Sequence, residues 1–184
     1  MIQGKNVLLR RLNHDDIPIL WEFIYGEKDP EWKKWDAPYF PVGFITRRDF
    51  EKEKKREVKD LYSNKMYIEV NGRLIGMVTY YWEHQPSNWL EVGIVIYEPS
   101  NWHKGAGTEA LKLWIRHLFE KYRLIRIGLS TWSGNTRMIR VAEKTGMKGE
   151  GRIRKCRFYN GVYYDAIKMG MLREEWLSFS LENV

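Results

Sequence analysis

Lys104-Gly105-Ala106-Gly107-Thr108 carries little side chain and stands between an apolar run and a helical pattern. That arrangement suits an anion. The first backbone N–H groups of a helix lack an internal acceptor, and the helix dipole places roughly half a positive charge beside them. Glycines let such a backbone come close to a phosphate. The apolar run, Ile94-Val95-Ile96, is β-branched throughout and fits a buried strand that Pro99 cannot continue. Glu91 opens the same strand, and alternation puts it on one face with Gly93 and Val95. A carboxylate there either accepts a proton from a reacting group or forms a salt bridge with one of the many arginines.

The surrounding elements follow from periodicity and turn residues. A strand is expected over Val7–Leu12, with Arg10-Arg11 breaking it toward solvent. Asn13 to Asp16 supply caps for a helix to Tyr25, which Gly26 can stop. Asp29 to Gly43, with Trp32, Trp35, Tyr39 and Phe40, reads as an irregular aromatic loop, either a lid over the core edge or a wall of a pocket. Thr46 and Asp49 open a charged helix to about Tyr62 in the manner of a capping box, and the mixed charges from Asp49 to Asp60 read as a solvated helix face. Asn71-Gly72 and Asn160-Gly161 each join two strands as a hairpin, Lys65–Val70 with Arg73–Tyr81 and Arg152–Tyr159 with Val162–Met171. Between the hairpins lie a strand from Trp89 to Tyr97, a helix with Leu111, Trp114, Ile115, Leu118 and Tyr122 on one face, a strand over Leu124–Thr131, and a helix capped by Asn135 and closed by Gly146. The fold class is therefore α/β (α+β). Its sheet is mixed, mostly antiparallel and twisted, with flanking helices and parallel neighbours only in the middle.

The whole chain of 184 residues reads as one domain, 1–184. Nine Trp and eleven Tyr are many, and serve a core of large rings or a groove for a flat or greasy ligand. The net charge of +7 is dispersed, which suits a polyanionic small molecule as well as a surface. Arg152, Arg154, Lys155 and Arg157 form a basic patch, yet no nucleic-acid motif accompanies it, so nucleic acid is not an expected partner. Cys156 is the single cysteine, and no run of about 18 apolar residues spans a membrane. A cytoplasmic location follows. His14, His84, His103 and His117 have no metal spacing, and no metal site is expected.

This order of elements, with Trp102-His103-Lys104-Gly105-Ala106-Gly107 after the fourth strand, resembles the GNAT superfamily of acyl-CoA-dependent N-acyltransferases. The superfamily's phosphate loop runs Gln/Arg-x-x-Gly-x-Gly/Ala. Asn135, a short helix and Lys144-Thr145-Gly146-Met147 match its second half, and the resemblance covers nearly the whole chain. Tyr159-Asn160-Gly161-Val162-Tyr163-Tyr164-Asp165 is similar to the branch that acetylates ribosomal-protein N-termini. A Rossmann site needs a third glycine and a P-loop needs Gly-Lys-Ser/Thr, and both are absent.

The resemblance implies a GNAT fold with a central V-shaped splay, acetyl-CoA as cofactor and a primary amine as acceptor, with a homodimer left open. Backbone N–H groups of His103, Lys104, Gly105, Ala106, Gly107 and Thr108 would hold the pyrophosphate, and the flat ring of Trp102 could pack on the cofactor. Backbone groups of Ile94, Val95 and Ile96 would pair with the pantetheine amides and supply an oxyanion donor. Asn135 would hydrogen-bond the pantetheine arm or a nearby water, and Arg140 with Lys144 would meet the nucleotide phosphates or remain exposed helix charge. Glu91 and Tyr81 are the expected catalytic side chains, with Asn135 beside them, and Tyr159 and Tyr164 stay in reserve. The chain departs from the family at Trp102, where Gln or Arg is usual, and at Ala142, where many members place a Tyr acid. It departs again at Met138 and Arg157, where the ribosomal-protein branch has Ser and Glu. These departures keep a second reading open, a non-catalytic CoA sensor or protein-interaction module.

Overall fold

The computed structural model describes residues 1–182. Its strands are β1 (Ile2–Gln3), β2 (Leu8–Arg10), β3 (Lys65–Val70), β4 (Arg73–His84), β5 (Trp89–Ile96), β6 (Arg126–Trp132), β7 (Lys148–Tyr159) and β8 (Val162–Leu172). Its helices are α1 (Asp16–Tyr25), α2 (Arg47–Lys59), α3 (Ala106–Lys121), α4 (Thr136–Lys144) and α5 (Arg173–Glu182). Strands pair in the order β1-β2-β3-β4-β5-β6-β8-β7, and β5 with β6 is parallel, from Trp89↔Arg126 to Glu91↔Gly128. This is the mixed, mostly antiparallel open sheet with helices that the element order predicts. None of the described helices is long and apolar enough to cross a membrane. The chain divides into two compact units, Met1–Thr79 with Ile94–Ala110, and Tyr80–Gly93 with Leu111 onward.

The first unit is closed by local devices. Asn71 and Gly72 both adopt positive φ, 51° and 74°, the two left-handed residues a tight I′ hairpin turn needs. The Asn13 side chain accepts from the Asp16 N–H at 3.0 Å, while Asp16 accepts from the Asn13 N–H at 2.9 Å, and α1 starts there. Thr46 accepts from the Asp49 N–H and donates its hydroxyl to the Asp49 carboxylate, so the expected cap of α2 forms. The core gathers Leu12, Ile17, Leu20, Trp32, Phe50, Tyr67, Leu74 and Tyr97.

Three expectations are corrected here. Arg10 does not turn to solvent: its fork grips both oxygens of buried Asp16, at 2.6 and 2.8 Å, and its Nε meets Glu69. A planar guanidinium satisfies two carboxylates at once, which makes burial tolerable. Helix α2 ends at Lys59 rather than Tyr62. Its charges are also not all solvated, because Lys54 is buried and donates to Glu57 at 2.8 Å, and Glu57 also accepts from the Tyr67 hydroxyl at 2.6 Å.

That last cluster makes a stability prediction. Burial pushes Glu57 up, but the hydrogen bonds from Lys54 and Tyr67 and the nearby Lys54 and Lys65 charges outweigh it and leave it below the ordinary carboxylate range. A group depressed in the folded state stabilises above its unfolded value, about 4.3 for Glu, and that stabilisation is lost as pH falls through the lower folded value. Urea unfolding at stepped pH should therefore show wild type well above Glu57→Gln near neutrality, with the gap closing below about pH 4. A gap that stays constant across that range would refute the assignment.

In the second unit Asn160 and Gly161 repeat the I′ signature, with φ of 48° and 78°. Leu111, Trp114, Ile115 and Leu118 of α3 are all buried, as are Ile127, Leu129, Met169 and Met171 on β6 and β8. Arg173 donates to the carbonyls of Phe119, Tyr122 and Leu124 at 2.7–2.9 Å, satisfying the open C-terminal end of α3. Strand β7 begins at Lys148, four residues before its expected start at Arg152. It bulges between Ile153 and Arg157, with Lys155 at φ 53° and its N–H held by Asp165 at 2.7 Å.

Candidate active site

The loop into α3 has the geometry of an anion cradle. His103 and Gly105 take φ of 61° and 86°, turning the chain from the short helical turn Pro99–Asn101 into α3. The N–H groups of His103, Lys104, Gly105, Ala106, Gly107 and Thr108 have no acceptor among the described residues. The one acid of the first turn, Glu109, does not compete for them. Its carboxylate accepts from the Asn6 and Val7 N–H groups at 2.8 and 3.3 Å and from the Asn6 side chain. The helix end thus keeps its free donors and partial positive charge. A Cβ on Gly105 would meet no atom within 4 Å, so the space over the loop is open. These residues fit a pyrophosphate, with the exposed His103 and Lys104 at its edge.

Strand β5 presents its backbone unevenly. The Tyr97 N–H donates to the Ile75 carbonyl at 2.9 Å, and the Val95 carbonyl lies against Gly76. Backbone groups alternate sides along a strand, so those of Val95 face β4 while those of Ile94 and Ile96 face the other way. The Ile96 carbonyl accepts from the Trp102 indole at 3.0 Å. Of the three residues expected to pair with pantetheine, Ile94 and Ile96 turn away from β4, and the Ile96 carbonyl is already held by Trp102. Trp102 itself packs against the first unit's core and edge-on to Trp35 at 6.5 Å. Its ring is a wall of that core, with its N–H committed within the protein.

The second unit holds a buried carboxylate. Glu91 is 2% exposed. Its Oε2 accepts from the Tyr81 hydroxyl at 2.8 Å and the Ser130 hydroxyl at 2.6 Å, and its Oε1 accepts from Lys168 Nζ at 3.0 Å. Tyr81 and Glu91, both candidates from sequence, are thus in contact. Burial, and then the hydrogen bond and charge of Glu91, push the Tyr81 phenol up, so it stays protonated and donates. Ser130 and Lys168 are not expected from sequence. They are cross-strand partners on β6 and β8. A lone lysine inside the apolar run Ala166-Ile167-Lys168-Met169 is the one available signal.

The remaining candidates are placed as follows. The Asn135 side-chain oxygen caps α4 through the Met138 N–H at 3.0 Å. Arg140 and Lys144 are exposed on α4, and Ala142, at the family's Tyr position, is buried. Tyr164 and Tyr159 stand edge-on to Trp132, with centroids at 4.7 and 6.2 Å. In the aromatic loop, Trp32 is a core residue, donating to the Phe23 carbonyl at 2.7 Å, while Phe40 remains exposed.

A free-donor loop opening a helix after a mixed-sheet strand has the geometry to suit a phosphate. The chain belongs to the acetyltransferase (GNAT) domain family, which it matches over residues 6–148. It is similar to the SPbeta prophage-derived uncharacterized N-acetyltransferase YokL of Bacillus subtilis, 26% identical over 174 residues, 94% of this chain and 93% of that protein. Its fold is shared with the spermidine N-acetyltransferase of Vibrio cholerae, solved with CoA and spermine, at a TM-score of 0.76 and 19% identity over 95% and 99% of the two chains. The same holds for a ribosomal L7/L12 alpha-N-protein acetyltransferase solved with coenzyme A, at 0.69 and 15% over 92% and 95%. This chain is an N-acetyltransferase, acts on amines and uses acetyl-CoA, which displaces the non-catalytic alternative.

Proposed function

We propose that residues 1–184 form a single catalytic domain, cytoplasmic in setting, that acetylates a weakly basic primary amine, foremost the α-amino group of a peptide. Acetyl-CoA, when bound, supplies an activated acetyl thioester. The loop N–H groups from His103 to Thr108 hold its pyrophosphate, and the Ile94 and Ile96 backbone groups receive the pantetheine arm. An N–H of that strand stabilises the oxygen on which charge develops. The ammonium first gives one proton to Glu91; the neutral amine then attacks directly, the N–C bond forms as the C–S bond breaks, and the second nitrogen proton goes to the departing sulfur, which leaves as the thiol. Glu91 carries this reading, because it is the buried carboxylate on the strand that continues to Ile94–Ile96.

The size of the proton problem favours a weak base. An α-amino group with a pKa near 8 is about a tenth neutral at pH 7, whereas a lysine near 10.4 is only about 0.04% neutral. The hairpin similar to the ribosomal-protein branch supports a peptide N-terminus. A polyamine is the second reading, supported by the likeness to the Vibrio cholerae enzyme. Thiol release from acetyl-CoA with peptides, spermidine and lysine derivatives decides between them. Peptide turnover exceeding spermidine turnover supports the first, and the reverse order establishes the second.

The cradle has its own test. Gly105→Val places a β-branched residue at φ 86° and disorders the donors beside it. Losing one charged hydrogen bond costs about 1.5–3 kcal/mol, so the Kd for CoA should rise roughly ten- to a hundredfold. Calorimetry that finds unchanged affinity would put the pyrophosphate elsewhere.

A further inference from the structure

We propose that Lys168 is a positioning residue for acetyl transfer, holding and aiming the Glu91 carboxylate so that it can take the proton of the amine. The inference rests on the reading of Glu91 as base. A carboxylate offers about four lone-pair sites. Tyr81 and Ser130 fill those of Oε2, and Lys168 takes one on Oε1, leaving a single site beside the ammonium. By that count a proton taken up by the carboxylate belongs on Oε1.

Lys168 is also the one cation in contact with that carboxylate among the described residues. Burial without a cation favours the neutral acid, which cannot act as a base. Tyr81 and Ser130 are neutral donors. The other charged or polar groups on the adjoining strands are otherwise engaged or more remote. Glu83 on β4 is felt by Tyr81, and Arg126 on β6 lies 5.3 Å over the Trp89 ring and is paired with Glu150 on β7. Opposite Glu91 the sheet has Gly128, where a Cβ would stand 3.3 Å from Glu91 Cγ, so glycine gives the acid side chain its bed.

Stability alone is a poor reason for this lysine. Its side chain is 42% exposed, and ion pairs that open to water contribute little. The pair instead sets the 42%-exposed lysine at the solvent edge of a cluster whose carboxylate is 2% exposed.

The test compares wild type with Lys168→Met, Lys168→Gln and Lys168→Arg, measuring kcat and KM from about pH 5 to about pH 10 with one peptide amine. Removing the cation in contact with the carboxylate should displace the acid limb of the rate profile to higher pH in the Met and Gln variants. Their kcat near neutrality should fall on the order of tenfold. The KM for acetyl-CoA should hold, and Lys168→Arg should restore both the limb and most of the rate. The substrate's own ionisation is the same in every variant and cannot produce the shift. An unmoved acid limb, or a rate scaled down equally at all pH, overturns the proposal. The Gln variant keeps a hydrogen-bond donor and so preserves the test if Met fails to fold. A normal rate in Glu91→Gln would instead bring down the base assignment, whatever Lys168 does.

Discussion

Glu91→Gln should lower kcat by about 10²- to 10⁴-fold, the usual contribution of a positioned base. The substitution is nearly isosteric. The Tyr81 and Ser130 hydroxyls can rotate to suit an amide, and the Lys168 ammonium can turn to water. The fold should therefore lose only a few degrees of melting temperature. Thermal stabilisation by CoA should survive, because the donors from His103 to Thr108 are untouched. Without a base, the amine must arrive already neutral. The residual rate should climb about tenfold per pH unit until the substrate's own pKa is reached, near 8 for a peptide and near 10.4 for a lysine. Wild-type turnover across that range would remove Glu91 from the mechanism. A loss of CoA stabilisation in step with the rate would show that the change acted on the fold.

Features decided by neighbours along the chain are legible in the sequence. Asn71-Gly72 and Asn160-Gly161 need only their own φ angles, and Thr46 with Asp49 needs only one turn. The apolar stripe of α3 and the glycine loop before it are equally local, so the residues of the candidate cofactor loop stand out from the amino-acid order alone. Partners brought together by strand register do not. Ser130 and Lys168 reach Glu91 from positions 39 and 77 residues away. Arg10 reads as solvent-bound because Glu69, 59 residues on, completes its pairing. The bulge at Lys155 arises because Asp165 holds that N–H across the hairpin, and no turn residue announces it. Glu91 is legible as a candidate through strand alternation, but whether it stands alone or in a cluster depends on three other strands.

Gly76 should be among the least replaceable residues of the first unit. A Cβ there would sit 2.1 Å from the Val95 carbonyl oxygen and 3.1 Å from the Ile96 Cα. Both are backbone atoms, so β4 and β5 must part rather than a side chain turn aside. Overpacking of this kind costs about 1–3 kcal/mol, and Gly76→Ala should melt several degrees below wild type. The harm should not stop at stability. The displaced segment carries the Ile96 carbonyl that receives the Trp102 indole, and Gly107 of α3 packs on the Ile94 and Ile96 side chains, within 3.9 Å of a Cβ built on it. Moving β5 therefore moves the pantetheine strand and loosens the seat of the phosphate loop together. A shift near 1 Å in such a platform can cost up to about a hundredfold in kcat/KM. Gly149→Ala is the matched control, because its Cβ would meet nothing within 4 Å and its φ is not in the left-handed region. It should keep wild-type melting and kinetics. If Gly76→Ala matches that control in both, the close approach of β4 to β5 does not set the geometry of the acyl-transfer strand.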